Sequence, residues 1–143
     1  MSETTKNIAD KDRDMLSRLT VRLERQIARQ KGIIKDSMED LTAHFNVNFE
    51  WKAEVIYKAN IILDFFVDLW NHLQEEECNI DKMRFYLRHA AEHTSDDIMH
   101  RDPYSSSSNG AVNLAHRWTY ETYKVIYHQA NNLLDILTPD DNE

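Results

Sequence analysis

The sequence predicts an all-α protein, an antiparallel bundle of about four helices with a long amphipathic N-terminal helix. Glycine and proline occur only twice each, as Gly32, Gly110, Pro103 and Pro139, whereas an all-β chain needs turn residues about every 8–12 positions. Apolar residues recur at spacings of three and four through most of the chain, the period of one face of a helix. The 143 residues, 41% of them hydrophobic, suffice for one core and not for two.

Residues 1–9 are polar and read as a flexible N-terminus. Residues 10–45 read as one long helix. Its apolar positions are Leu16, Leu19, Leu23, Ile27, Ile34, Met38, Leu41 and Phe45, and they fall into an eleven-residue repeat: Leu16–Ile27–Met38, Leu19–Gln30–Leu41, Leu23–Ile34–Phe45. Only Gln30 interrupts it. Eleven residues in three turns, about 3.67 per turn, keep a seam nearly straight along the helix. Leu16, Leu19, Leu23, Ile27, Ile34, Met38 and Leu41 therefore form a packing stripe, against the rest of the bundle or against a second copy, and are assigned as the interface for a partner protein or for self-association. Beside the seam, Arg18, Arg22, Arg25 and Arg29 make one cationic edge. Its first reading is a solvated flank pairing with acidic neighbours; its second is contact with nucleic acid through phosphate neutralisation.

Asn46-Val47-Asn48 is the expected first break, because asparagine favours caps and turns. Residues 49–77 read as a second helix with the stripe Trp51, Val55, Ala59, Ile62, Phe66, Leu69 and Leu73, widened by Ile61, Phe65 and Trp70. It would end in Glu75-Glu76-Glu77, against the helix dipole. Asp81 is the expected cap of a third helix over 82–100. Ser105–Ser108 with Asn109-Gly110 read as an exposed loop. Residues 111–137 make the fourth helix, stopped by Thr138-Pro139, and 139–143 form an acidic tail. The whole of 10–138 is expected to be one helical domain.

The net charge of −8 is uneven. Residues 1–35 hold nine Lys/Arg and five Asp/Glu, a net of +4, and the remainder carries −12. A basic first helix and an acidic body attract one another, within one chain or between chains. The whole protein repels polyanions, which places nucleic acid second as a partner. The lone Cys78 fits a reducing compartment. No stretch approaches the ~20 apolar residues of a membrane span. The N-terminus has no signal-peptide core. The expectation is a cytoplasmic protein with no membrane contact.

Seven histidines are many for this length. In chain order the sequence offers His44, then His72-x3-Glu76, then His89-x3-His93, then His116-x4-Glu121. This series resembles the ligand order of the hemerythrin-like family over about residues 40–125. That resemblance implies an up-down-up-down bundle, iron as cofactor, and His72, Glu76, His89, His93 and His116 as metal ligands in dioxygen, iron or redox sensing. Glu121 stands where the family usually has Asp. Arg84-x4-His89 and Arg88-x4-His93 also resemble the Arg-x4–6-His motif of HEPN-type ribonucleases, which would give Arg88 and His93 catalytic roles. The polar residue that follows the family's arginine is matched only after Arg88, by His89.

The same histidines have a plainer reading. His89, His93, Asp96 and His100 lie within about 60° of one another around the third helix, a polar stripe on its flank. Bundle-core ligands must point inward, and on the inferred helices His72, His89 and His93 lie about 100° or more from the apolar centre. There is no glycine-rich phosphate loop, nucleophile elbow or Cys/His zinc spacing. Carboxylates beside Cys78 disfavour a thiolate nucleophile. Trp51, Trp70, Trp118, Tyr120, Tyr123 and Tyr127 read as core and interface aromatics. The reading that leads is a non-enzymatic, regulatory interaction protein without a cofactor, acting through its N-terminal helix.

Overall fold

The computed structural model of the chain describes residues 3–101 and 109–139, with side chains from residue 9 onward. Four helices follow in order: α1 (Glu3–Ala43), α2 (Phe45–Leu73), α3 (Ile80–His100) and α4 (Gly110–Ile136). No strand occurs among the described residues. The protein is an all-α helical bundle.

α1 begins at Glu3 and not near residue 10. Residues 3–9 contain no glycine or proline, and extending a nucleated helix adds one backbone bond for each residue fixed. Its 41 residues span about 60 Å. Gly32 lies inside it, so the register runs on past the basic run 29–31.

The first break falls at His44 alone, with φ −141° and ψ 62°. Asn46, Val47 and Asn48 belong to α2. The reason is visible in Asn48: its side-chain amide donates to the carbonyl of Asp40 at 3.2 Å. Lys52 closes on the Asp40 carboxylate at 3.1 Å. The asparagine thus ties the corner of an antiparallel α1–α2 hairpin, and helical backbone bonding resumes on either side of one residue.

α2 stops at Leu73, four residues before the expected end. Its last bonds tighten, Gln74 N–H to Asn71 O and Glu75 N–H to His72 O. Glu75, Glu76 and Glu77 consequently lie in the turn, off the unfavourable helix end. The cap of α3 is Asn79, whose side chain accepts from Lys82 N–H at 2.9 Å; Asp81 sits in the first turn, where a carboxylate suits the dipole. Asn109 caps α4, accepting from the N–H groups of Ala111 and Val112. The expected serine loop at 105–108 and most of the acidic tail lie outside the described residues.

α1 packs chiefly on α2, and α3 chiefly on α4. The two hairpins share a core at one end of the bundle. Leu19 and Leu23 of α1 meet Phe66 and Leu69 of α2, Met83 and Leu87 of α3, and Leu133 and Leu137 at the end of α4, all essentially inaccessible to water. Each such side chain contributes about 1.5–3 kcal/mol by burial. The core thus takes the first half of α1 and the second half of α2 and leaves the other halves less covered.

Candidate docking surface

The two halves of α1 are built differently. In the first half the buried positions are apolar, Met15, Leu19 and Leu23. In the second half the buried positions are Gln30 and Ser37. Leu23, Gln30 and Ser37 are seven apart, the spacing of helices that coil about one another. The buried line on α1 therefore follows a heptad against α2 and not the expected eleven-residue seam. Gln30, the residue that interrupted the seam, lies on the line.

At 100° per residue, Ile27 and Ile34 stand about 40–60° around α1 from the nearest residues of that line, and Met38 about 100° from Ser37. Ile27, Ile34 and Leu41 are only half-buried and Met38 is 48% exposed. The expected interface set thus divides. Leu19 and Leu23 belong to the core of their own chain and Leu16 packs against it, which corrects their assignment to a partner surface. Ile27, Ile34, Met38 and Leu41 retain open apolar surface.

The corner extends this surface. Phe45, Val47, Phe49 and Trp51 are all exposed, Val47 at 86% and Trp51 at 63%. The rings of Phe45 and Phe49 lie 5.1 Å apart, and the Lys52 ammonium stands 4.2 Å from the centre of the Trp51 ring. Trp51, expected to open the buried stripe of α2, is in phase with Leu69 on that helix but lies in its first two turns, away from the shared core, and is left exposed. A signal for the tip was present in the sequence: four large apolar residues in seven positions, each two apart, a spacing that no single helix face can bury.

Arg18, Arg22, Arg25 and Arg29 are exposed. Arg18 pairs with Asp14 at 3.3 Å. Arg22, Arg25 and Arg29 make no ion pair with any described residue.

The histidine series is dispersed. His72 stacks on Tyr86 at 3.8 Å and lies 3.0 Å from the Glu75 carboxylate. Glu76 is exposed in the turn beyond α2. His89 and His93 stack in parallel on the open flank of α3, 6.4 Å between centres. The Nδ1 of His116 lies 3.2 Å from Nη1 of Arg101. His44 sits exposed at the corner. Among the described residues, no three His, Cys, Asp or Glu side chains stand close enough together to hold a metal.

Arg88 lines an open polar groove of about 500 Å³ between α3 and α4, with Glu92 and Asp96 of α3 and Tyr127 and Asn131 of α4. His93 does not line it, being about 140° around the helix from Arg88. Arg84, the other motif arginine, bonds instead to the carbonyl of Leu137.

Among the described residues, two groups have displaced protonation equilibria. The hydrogen-bonded Asp97 carboxylate raises Arg101 against the cost of burial. Burial, reinforced by Glu75 and opposed by Lys82, raises the Cys78 thiol.

No protein-family model, curated protein or solved structure matches this chain. The apolar tip and flank of the α1–α2 hairpin are therefore read from their own chemistry. Among the described residues no helix is long and apolar enough to cross a membrane.

Proposed function

We propose that this protein is a non-enzymatic helical interaction protein whose docking surface is the open apolar flank and aromatic tip of the α1–α2 hairpin, around Ile34, Met38, Phe45, Phe49 and Trp51. The observation that carries this reading is the exposure of Met38, Phe45, Val47, Phe49 and Trp51 within fourteen consecutive residues. Grouped exposed apolar residues mark interaction sites on soluble proteins. Phenylalanine, tryptophan and methionine are the types enriched in interface cores, and tryptophan is enriched among hot spots.

Rigidity favours the same reading. The hairpin is rooted in the four-helix core at Leu19, Leu23, Phe66 and Leu69. Its corner is tied by Asn48 and Lys52 to Asp40. A surface already held in place loses little conformational entropy on binding. Charge favours a protein over nucleic acid, because residues 36–51 carry Asp36, Glu39, Asp40 and Glu50 and no lysine or arginine, a balance that repels phosphates.

The test is site-specific photo-crosslinking in the native host. A photoreactive residue at Phe49 or Trp51 should give a discrete adduct, and one at exposed Asn132 on α4 should not. Equal labelling at all three positions, or none at the tip, overturns the proposal.

A further inference from the structure

Of the seven histidines, only His89 and His93 stand four residues apart, about one turn of helix, so that both side chains leave α3 on the same side. They lie on its outer flank, about 120–160° around the helix from buried Leu87, and both are exposed. The two imidazoles are nearly parallel, 16° apart in plane and 6.4 Å between centres. The Phe85 ring, one turn earlier, continues the stack at 13° and 6.1 Å from His89. Neither imidazole has a hydrogen bond or ion pair with any described residue, so its nitrogens are open to a ligand. Other histidines are already engaged. His72 is held by Glu75 and stacked on Tyr86, and His116 accepts from Arg101.

We infer that His89 and His93 together form a surface chelate for one late first-row divalent cation, of the class of zinc, copper and nickel. This goes beyond the docking surface proposed above and lies on the other hairpin. Neutral imidazole is the side chain that suits this class, whereas magnesium and calcium take oxygen ligands. Zinc binds an imidazole nitrogen at about 2.0–2.1 Å. Two imidazoles sharing one tetrahedral zinc therefore bring their ring centres to about 5 Å, roughly 1 Å closer than in the stacked pair. Rotation of two exposed side chains about their own bonds makes that change and leaves the backbone in place.

The surrounding charge favours a cation. Glu92 and Asp96 lie within about 60° of His89 around α3, are exposed and have no ion pair with any described residue. Arg88 is turned about 100° from His89, into the groove on α4. The acidic body of the protein draws cations toward it. His72, Glu76 and His116 take no part, so the site is a one-metal site on the surface and not a centre inside the bundle. Two protein ligands leave two tetrahedral positions open to water.

The experiment is isothermal titration of untagged full-length protein with zinc ion, repeated with copper and with magnesium. Wild type is expected to bind one zinc per chain with a dissociation constant below about 100 µM, copper more tightly, and magnesium not detectably. His89→Gln and His93→Gln should each weaken zinc binding by about tenfold or more, because the second ligand of a chelate binds intramolecularly. His72→Gln should leave it unchanged. In nuclear magnetic resonance spectra, zinc should shift the imidazole signals of His89 and His93 and not those of His72. Acid should release the metal, because a ligating imidazole must be neutral. Circular dichroism should show every variant as helical as wild type, since neither imidazole is in the core.

Failure of wild type to bind zinc at that concentration, or binding that survives His93→Gln, overturns the inference. Loss on His72→Gln alone also overturns it, placing the metal beside Glu75 at the end of α2.

Discussion

The guanidinium of Arg84 on α3 donates from Nε to the carbonyl oxygen of Leu137, 2.9 Å away, just past the end of α4. A second donor, Nη2, points to the same oxygen. The last turn of α4 carries no basic residue of its own, and Leu137 is buried in the core. The positive charge that suits a helix C-terminus is thus supplied by a neighbouring helix. Arg84→Met should cost about 1.5–3 kcal/mol, the range for hydrogen bonds to charged groups. At about 2–4 °C per kcal/mol for a chain of this size, thermal melting should fall clearly. Arg84→Lys should recover only part of it, lacking the fork. An unchanged melting temperature for Arg84→Met would refute the assignment.

The two halves of α1 should respond differently to truncation. Leu23 is fully buried among side chains of the shared core, so Leu23→Ala should cost about 2–5 kcal/mol. Ile34 is half-buried, so Ile34→Ala should cost only about 1 kcal/mol in the monomer. Chemical denaturation at low protein concentration measures both. Equal losses would contradict the division of α1 described here.

The end of α3 is tied to α4 by Arg101. Its guanidinium bonds Asp97 at 2.7 and 3.2 Å and reaches Nδ1 of His116 at 3.2 Å. Arginine can only donate, so His116 accepts through Nδ1 and carries its proton on Nε2. A double-mutant cycle of Arg101→Ala and His116→Ala should show a coupling of about 0.5–1.5 kcal/mol. Strict additivity would mean that the pair does not interact in solution.

Cys78 should be a slow thiol. Burial holds its proton, Glu75 adds to the effect, and Lys82 opposes it, above the ordinary value of 9.0. Alkylation near neutral pH should be slower than for an unfolded peptide and should accelerate as pH rises. Glu75→Gln should speed the reaction, and Lys82→Ala should slow it. The folded state keeps the proton more tightly than the unfolded chain does. The stability linked to this group is therefore complete below 9.0 and is lost as pH rises past that value. Reactivity equal to that of the peptide at every pH would refute the shift.

Much of the architecture was legible because helix period and breaker scarcity are local properties. The stripe of α2 at Ala59, Phe66 and Leu69 and the stop after α4 read correctly from spacing alone. The corner did not. Asn46 and Asn48 look like turn residues, yet Asn48 serves the turn from within α2 by reaching back to Asp40. Glu76 looked helical from its spacing to His72, and only the tightened end of α2 takes it off the helix.

By itself, the sequence determined that the chain is helical, roughly where each helix runs, and that α1 carries an apolar seam and a basic edge. These follow from periodicity, capping residues and charge, which act within a few turns of one helix. Only the tertiary structure decided which part of the seam is core and which is surface. α1 meets four-helix packing over its first half and packs chiefly on α2 over its second. There the heptad line through Gln30 and Ser37 faces inward and leaves Ile34 and Met38 toward water. That choice depends on the axis and depth of a neighbouring helix, which the residues of α1 do not encode.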